Sequence, residues 1–267
     1  MAASPSRTVF VAISLALTVW LWGLGGTLFL LRWHSVERPI PIRDLFPYGE
    51  MRVGVDASYP PFAVATATDI FGLDIDLARA LGQELDIPVR FVNLGFDGLY
   101  DALRTDQVDV LISALLVDPA RRGAVIYSPP YYNAGLVLVT DANSIIENMR
   151  DLPGHRLALE FGSQAQTEAE RWLRRIHAFD ILPYELPEYA LDAARLGEAD
   201  AALTDRITAS FYLQQHPNWD ARLTQVTNVP FAIATRADRP DRAAAINHAL
   251  ETLIAEGILA EIIARYL

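Results

Sequence analysis

Short apolar segments alternate with helical patterns along most of the chain. Residues 52–56 form a β-branched run that ends in an aspartate and predicts a strand, and apolar residues at helical spacing within 73–85 predict the next helix. Further strands are predicted at 89–93 and 108–113, with a short helix at 99–104 between them. Because strands alternate with helices, the pattern predicts a parallel α/β layer.

The pattern restarts after an aromatic, proline-rich segment at residues 127–132. The predicted elements of this second part are strands at 136–139, 156–159, 181–184 and 201–204, helices at 163–175, 189–196 and 205–214, a strand at 228–235, and two helices within 241–267. Two successive α/β units predict two lobes. Ligands of such folds bind at the C-terminal ends of the strands, in the gap between the lobes.

The N-terminal segment has a different character. Residues 8–31 carry no charge, and as a helix they would span about 36 Å at about 1.5 Å per residue. This length is sufficient for a bilayer core of about 30 Å. A cleaved secretory signal would have a shorter apolar core and small residues at its cleavage site. We therefore predict an uncleaved membrane anchor at residues 1–34, followed by an extended, proline-rich linker at 35–47.

The composition excludes several kinds of chemistry. The 267 residues include no cysteine, and all 22 basic residues are arginine. This excludes disulfides, thiol catalysis, cysteine-ligated zinc and lysine Schiff bases. The net charge of -11 argues against a nucleic-acid partner. The five histidines show no metal-ligand spacing, and no nucleotide or hydrolase motif is present, so the sequence carries no signature of a metal site, a cofactor or an enzyme.

Polar residues that follow predicted strands are candidates for a binding site. These residues are Asp56, Tyr59, Ser113, Glu160, Gly162, Ser163 and Asp205. Ser163 and Asp205 precede helical patterns, so N-capping is the favoured alternative for both. The two roles are compatible, because a helix N-terminus also offers free N–H groups to an anionic ligand.

One arginine and two aromatic residues are further candidates for contacts with a ligand. Arg121 follows Asp118-Pro119 in a short turn, where its guanidinium could hold a carboxylate or lie solvated at the surface. Tyr59 and Phe96 are candidates for pocket walls, and ordinary core packing is the alternative for both.

Six segments taken in order resemble one protein family. They are RVGVDASYPPF (52–62), FGLDIDLARALGQEL (71–85), FDGLYDALRTDQVDVLIS (96–113), ARRGAVIYSPPYY (120–132), EFGSQAQ (160–166) and GEADAALTDRITASFYL (197–213). Together they resemble the family 3 extracellular solute-binding proteins, the polar amino-acid receptors of ABC importers.

The resemblance implies a fold and a division of the chain. The expected fold is α/β, a type II periplasmic binding protein (Venus-flytrap) with two lobes joined by two crossing strands and preceded here by one N-terminal transmembrane helix. Lobe 1 would comprise residues 48–134 and 230–267, and lobe 2 residues 135–229. The ligand would lie between the lobes, and closure would bury it.

The resemblance also implies roles for individual residues. Arg121 would hold the α-carboxylate of the ligand, with backbone N–H groups from Gly162 and Ser163, and Asp205 would bind the α-ammonium group. The remaining implied contacts are the aromatic side chains of Tyr59 and Phe96, the polar groups of Asp56 and Ser113, and the pocket-facing Glu160 and Gln164, the last of which replaces a common threonine.

Two positions depart from the family pattern. Leu116 replaces the serine or threonine that commonly supplies a second carboxylate contact, and Ala114 replaces a common serine or glycine. These replacements leave a modified amino acid or another small carboxylate open as the ligand. Asp56 and Glu160 together would suit a cationic side chain.

The resemblance implies the receptor of an ABC importer. We expect it to bind a polar amino acid or a related small molecule, with a cationic amino acid as one hypothesis. The expected partners are an ABC permease and, through residues 8–31, the lipid bilayer. The expected location is the cell membrane, with a single span and the soluble domain outside the cytoplasm. Two alternatives remain, namely an enzyme that resembles the cyclohexadienyl (prephenate or arogenate) dehydratases and a ligand-sensing input module.

Overall fold

The computed structural model describes residues 41–267. The predicted anchor at 1–34 and the first part of the predicted linker lie outside the described residues. Residues 42–267 form one compact unit. Within residues 41–267, no helix combines the length and the apolar character needed to cross a membrane.

Strands and helices alternate along residues 41–267. The strands are β1 (Met51–Val55), β2 (Ser58–Tyr59), β3 (Ala63–Ala65), β4 (Ile70–Phe71), β5 (Val89–Asn93), β6 (Val110–Leu111), β7 (Val125–Tyr127), β8 (Tyr132–Asn133), β9 (Leu136–Asp141), β10 (Arg156–Glu160), β11 (Asp180–Tyr184), β12 (Ala201–Asp205), β13 (Ala221–Gln225), β14 (Pro230–Phe231) and β15 (Ala234–Arg236). The α-helices are α1 (Ile42–Leu45), α2 (Leu73–Glu84), α3 (Leu99–Arg104), α4 (Gln164–Leu173), α5 (Pro187–Arg195), α6 (Arg206–Gln215), α7 (Pro240–Ala255) and α8 (Ile258–Tyr266).

The first sheet has the strand order β5-β1-β6-β15-β7. Strand β1 pairs in parallel with β5 and β6, whereas β15 runs antiparallel to β6 and β7. All residues of β1 are buried, as expected for a strand of a parallel sheet with both faces covered. Helices α2 and α7 pack their apolar faces, including Leu77, Leu81 and Leu250, into the core on this sheet.

The second sheet has the strand order β11-β10-β12-β9-β13. Strand β10 is parallel to β11 and β12, and β9 is antiparallel to β12 and β13. Two apolar clusters cover its faces, one built around Leu157 and Leu159 and the other around Val139 and Ala158. Alternate residues of β10 point to opposite faces, which is why neighbouring residues belong to different clusters.

The chain passes between the two sheets twice. Strands β8 and β14, one from each passage, pair antiparallel with Tyr132 opposite Phe231. The passages are closely packed, because a Cβ atom at Gly135 would lie 1.9 Å from the Thr227 carbonyl oxygen. The single strand predicted at 228–235 is wrong, since β14 pairs with β8 whereas β15 joins the first sheet.

The segment that leads into β1 also differs from the prediction. Residues 42–47 were expected to be part of an extended linker, but Ile42–Leu45 is helical and Leu45 and Phe46 are buried in the core. The Arg242 guanidinium explains this placement, because its Nε and Nη2 donate to the Leu45 carbonyl oxygen at 3.0 and 2.7 Å. Arg242 is in turn paired with Asp109, a buried carboxylate that Arg52 also binds. The linker prediction is therefore wrong for residues 42–47.

Candidate functional site

A cavity of about 540 Å³ lies where loops from both sheets meet the two crossing passages. We call it the cleft. It is lined by Asp56, Ser58, Tyr59, Phe96, Ser113, Ala114, Leu116, Ala134, Gln164, Asp205, Ile207, Val229 and Phe231. Six of the ten residues proposed from the sequence are among them, namely Asp56, Tyr59, Phe96, Ser113, Gln164 and Asp205. The C-terminal ends of β1 and β12 carry two of these, in agreement with the general position of ligands in open α/β sheets.

Asp56 is held in a fixed orientation immediately after β1. Its Oδ1 accepts hydrogen bonds from the Ser58 N–H at 3.1 Å and the Ser58 hydroxyl at 2.6 Å. Its Oδ2 accepts from the Phe96 N–H at 3.0 Å, and its own N–H donates to Ser113 Oγ at 2.9 Å. The carboxylate therefore joins the loops after β1 and β5, and the backbone N–H of the same residue joins them to Ser113 after β6. Its two oxygens offer about four acceptor sites, so it retains capacity for a ligand.

Two half-exposed aromatic rings border the cleft. Tyr59 is 48% exposed, and one face of its ring stacks on Phe62, with ring centroids 5.5 Å apart and an interplanar angle of 10°. Phe62 is buried and packs edge-on against Tyr132 and Phe231, so Tyr59 rests on a rigid base. Phe96 is 51% exposed. Exposed aromatic faces of this kind attract apolar chains and cations.

The environment of Tyr59 also affects its hydroxyl group. Burial raises the pKa of Tyr59, and the negative charges of Asp205 and Asp74 raise it further. The hydroxyl therefore stays protonated at neutral pH and can serve as a hydrogen-bond donor.

Asp205 ends β12 and is the N-cap of α6. Its Oδ1 accepts from the Thr208 N–H at 2.9 Å and its Oδ2 from the Thr208 hydroxyl at 2.7 Å. The residue both caps the helix and lines the cleft, so the two roles considered from the sequence occur together. Each oxygen retains a lone pair for a further donor.

A second, smaller cavity adjoins the cleft. Its volume is about 300 Å³, and it shares Gln164 and Asp205 with the cleft while adding Glu160 and Ser163. The Ser163 hydroxyl donates to the Glu160 carbonyl oxygen at 2.7 Å and accepts from the Gln166 N–H at 3.3 Å as the N-cap of α4. Glu160 and Ser163 are thus brought beside the cleft. No group of three or more His, Cys, Asp or Glu side chains that could hold a metal ion occurs in residues 41–267.

The structure does not bring Gly162 to the cleft. Gly162 has φ 75°, in the left-handed region that favours glycine, and it is exposed. Its N–H donates to Gln166 Oε1 at 2.8 Å, which satisfies the donor within the loop. The glycine therefore allows the turn from β10 into α4.

Arg121 is likewise not brought to the cleft. Its Nε lies 3.2 Å from Asp118 Oδ2, and its Cζ lies 4.0 Å from the centroid of the Tyr100 ring. It lines a different cavity of about 300 Å³, together with Arg236 and Asp238. Asp118 caps the turn that carries Arg121, and this arrangement holds the guanidinium beside an anion and an aromatic face. The expectation that Arg121 faces the ligand is not met in this structure.

A buried polar group lies behind the cleft wall. Asp74 is fully buried, accepts from the Tyr131 hydroxyl at 2.7 Å, and accepts from the Ala114 N–H at 2.7 Å. Burial raises the pKa of Asp74 to about 7, although both hydrogen bonds oppose the shift. Ala114 has φ 45°, so Asp74 holds the cleft-lining backbone in a conformation that few L-residues adopt.

Several residues lining the cleft were not identified from the sequence as candidates. They are Ser58, Ala134, Ile207, Val229 and Phe231. Ser58 and Ile207 are each within two residues of a candidate carboxylate, and this proximity is a usable signal. Ala134, Val229 and Phe231 belong to the crossing passages, whose position depends on the pairing of β8 with β14. That pairing joins residues far apart in sequence, so no local pattern indicates it.

Known proteins match most of the described chain. The family of bacterial extracellular solute-binding proteins, family 3, matches residues 51–267. ABC transporter arginine-binding protein 1 of Escherichia coli strain K12 is 27% identical over 215 residues, which cover 78% of this chain and 86% of that protein.

Two solved structures resemble the chain. An L-cystine solute receptor of Neisseria gonorrhoeae in its unliganded open conformation has a TM-score of 0.68 and 22% identity, over 86% of this chain and 97% of its own. An ancestral cationic amino acid solute-binding protein has a TM-score of 0.58 and 28% identity, over 84% of this chain and 98% of its own. A second structure of that ancestral protein describes it as a precursor of cyclohexadienyl dehydratase. The fold of residues 51–267 is that of a periplasmic binding protein.

Proposed function

The chain belongs to the bacterial extracellular solute-binding proteins of family 3, and from this premise we propose that its cleft binds a small cation of the amino-acid class for an ABC importer. The observation that carries the proposal is the pairing of two carboxylates, Asp56 and Asp205, with the exposed rings of Tyr59 and Phe96 in one cavity. The similarity to an arginine-binding protein and to a cationic amino acid-binding protein supports the same class of ligand.

In this proposal the two carboxylates and the two aromatic rings of the cleft contact different parts of the ligand. Asp205 accepts hydrogen bonds from an ammonium or guanidinium group, and each charge-assisted bond contributes about 1.5–3 kcal/mol. Asp56 binds a second positive group or a polar donor of the ligand. The rings of Tyr59 and Phe96 hold the apolar chain between them and add a cation–π attraction of about 0.5–2 kcal/mol.

Binding is coupled to closure of two lobes in this proposal. Lobe 1 comprises residues 48–134 and 230–267 around the first sheet, and lobe 2 comprises residues 135–229 around the second. A ligand that contacts Asp56 on one lobe and Asp205 on the other stabilises the closed form, because only that form satisfies both contacts. The permease of the importer then recognises the closed form.

The proposal includes a tether to the membrane. Residues 8–31 are uncharged and long enough to span a bilayer, which supports an anchor that leaves the lobes outside the cytoplasm. Extraction of bacterial membranes with alkaline carbonate tests the anchor. The full chain is expected in the membrane pellet, and a chain without residues 1–34 in the soluble fraction. Recovery of the full chain in the soluble fraction contradicts this part of the proposal.

Thermal unfolding of the full chain in detergent tests the ligand class. Arginine, lysine and the amine derived from each are compared with glutamine, glutamate and cystine. A ligand at about 100 times its Kd raises the free energy of unfolding by about 2.7 kcal/mol. We expect at least one cation to raise Tm, and none of the neutral or acidic compounds to do so. A shift by glutamine, glutamate or cystine alone contradicts the cationic assignment.

We propose binding without chemical conversion of the ligand. The name of the matching family, which refers to solute binding, supports this reading. The dehydratase alternative predicts that prephenate or arogenate incubated with the protein yields phenylpyruvate or phenylalanine. Formation of either product at a rate that increases with protein concentration contradicts binding without conversion.

A further inference from the structure

We infer that the cleft prefers organic cations that lack an α-carboxylate, so that the amines formed by decarboxylation of basic amino acids bind more tightly than the amino acids themselves. The inference rests on the proposed function, because it specifies the ligand of the same cleft. It follows from the charges and hydrogen-bond donors that the described residues present to the cavity.

The charge balance of the cleft is negative. Asp56 and Asp205 line it, Glu160 lines the adjoining cavity, and no arginine or histidine within residues 41–267 lines either one. A free amino acid brings a carboxylate into this space. When the cleft closes and excludes water, that carboxylate is costly unless a cation or several donors pair with it.

Arg121 is the cation that the family resemblance assigns to a ligand carboxylate, and it is engaged elsewhere. Its guanidinium contacts Asp118 at 3.2 Å and covers the Tyr100 ring at 4.0 Å from the centroid. Leu116, which replaces a hydroxyl-bearing residue of the family pattern, lines the cleft and is 52% exposed. An apolar side chain therefore stands where a carboxylate contact is expected.

The next candidate cation is Arg206, which follows Asp205. It does not line the cleft, and its Nε and Nη2 donate to Gln225 Oε1 at 3.1 and 2.8 Å. These bonds attach the guanidinium to β13 of the second sheet. Arg206 is thus also held by a protein partner.

Two backbone donors near the cleft, at Ala114 and Gly162, are also occupied by protein acceptors. The Ala114 N–H donates to Asp74 Oδ2 at 2.7 Å and lies 3.1 Å from the Tyr131 hydroxyl oxygen. The Gly162 N–H donates to Gln166 Oε1 at 2.8 Å. A ligand carboxylate would have to displace a protein acceptor at each of these positions. A ligand amine is a hydrogen-bond donor, so it does not need these backbone N–H groups.

The groups that remain available suit cations. The carboxylates of Asp56 and Asp205 are already oriented by neighbouring donors and retain free lone pairs. Tyr59 and Phe96 present ring faces, which attract ammonium and guanidinium groups. A chain with a positive group at each end would use both carboxylates and both rings, and it would leave no ligand charge unpaired.

Matched pairs of ligands test the inference. Arginine with agmatine and lysine with cadaverine differ within each pair only by the carboxylate. Calorimetric titration of the full chain in detergent is expected to show at least one amine with a Kd about tenfold or more below that of its amino acid, which corresponds to about 1.4 kcal/mol. Asp205→Asn should weaken the binding of that amine, which identifies the cleft as its site.

The possible outcomes separate this inference from the proposed function. If arginine or lysine binds and each amine binds equally or less tightly, the preference for amines is overturned while the cationic receptor stands. If no member of either pair binds and glutamine, glutamate or cystine does, both are overturned. If an amine binds more tightly but Asp205→Asn leaves its Kd unchanged, the cleft is not its site and the inference is overturned.

Discussion

The guanidinium of Arg121 covers the ring of Tyr100, with Cζ 4.0 Å from the ring centroid, outside the cleft. The family resemblance assigns this arginine to the carboxylate of a ligand. In the structure its charge is balanced by Asp118, and its planar group stacks on an aromatic face. In this structure Arg121 therefore makes contacts within the protein, with Asp118 and Tyr100.

Arg121→Ala is the direct test of this arrangement. We expect the Kd of the best ligand to change by less than about twofold. The free energy of unfolding should fall by about 1 kcal/mol, because an exposed cation–π contact and a surface ion pair are both lost. Calorimetric titration and thermal unfolding measure the two effects. Arg122→Ala, which alters the exposed neighbour, is the control. If Arg121→Ala reduces the free energy of ligand binding by about 2–5 kcal/mol, Arg121 contacts the ligand and the arrangement seen here is not the one that binds it.

The fold was largely predictable because its strands are short, apolar and regularly alternated with helices. Helix α3 was predicted at residues 99–104 and occurs at Leu99–Arg104, and β5 was predicted at 89–93 and occurs at Val89–Asn93. Some of the elements that were missed depend on distant partners. Strand β13 is such a case, because it pairs with β9. Strands β2, β3 and β4 pair with one another within residues 58–71, and they were missed because each has only two or three residues.

Part of the candidate site could also be predicted from the alternation of strands and helices. Asp56 and Asp205 stand at the C-terminal ends of strands, so the alternating pattern alone indicates where their side chains gather. The orientation of Arg121 depends on Tyr100, a residue of α3 that no local pattern connects to it. Sequence position identified Arg121 as a candidate, but packing decides which cavity it faces.

Asp205→Asn tests the proposed contact with the positive group of the ligand. The substitution removes the charge but keeps an N-cap, because asparagine caps helices about as well as aspartate. We expect ligand binding to weaken by about 1.5–3 kcal/mol, the contribution of a charge-assisted hydrogen bond, with little change in Tm. Calorimetric titration of the full chain measures this effect.

Asp118→Asn is the matched control for Asp205→Asn. Asp118 also caps a turn, accepting from the Ala120 N–H at 2.9 Å, but it does not line the cleft. The Kd of the ligand for Asp118→Asn should equal that for the wild type. If Asp118→Asn and Asp205→Asn weaken ligand binding equally, the effect comes from the change in net charge and not from contact with the ligand.

Tyr59→Ala and Tyr59→Phe test the aromatic wall of the cleft. The ring stacks on Phe62 and lines the cleft, so its loss should weaken binding by about 0.5–2 kcal/mol. Tyr59→Phe keeps the ring and should retain most of the affinity. Tyr189→Ala removes a tyrosine of similar exposure outside the cleft and serves as the control. Equal losses for Tyr59→Ala and Tyr59→Phe would show that the hydroxyl, and not the ring, binds the ligand.

The buried carboxyl of Asp74 predicts a pH-dependent stability. Its pKa is raised by burial to about 7 from an ordinary value of 3.8, so the folded protein holds a proton that the unfolded chain releases in this range. The stabilising contribution of the protonated group is complete below the unfolded pKa and is lost as the pH rises through the folded pKa. With about 1.4 kcal/mol per pH unit, this single group can lower the free energy of unfolding by up to about 4 kcal/mol between acid and neutral pH.

Asp74→Asn separates this effect from the titration of the other acids. Asparagine stays neutral and its carbonyl oxygen can accept from the Tyr131 hydroxyl or the Ala114 N–H. Denaturant unfolding from about pH 5 to about pH 8 should therefore show a smaller loss of stability for the variant than for the wild type, by about 2–3 kcal/mol. Asp97→Asn, at an exposed aspartate, should follow the wild-type profile. If Asp74→Asn also follows it, Asp74 does not change its protonation state between about pH 5 and pH 8, and the hydrogen bonds from Tyr131 and Ala114 outweigh the cost of burying its charge.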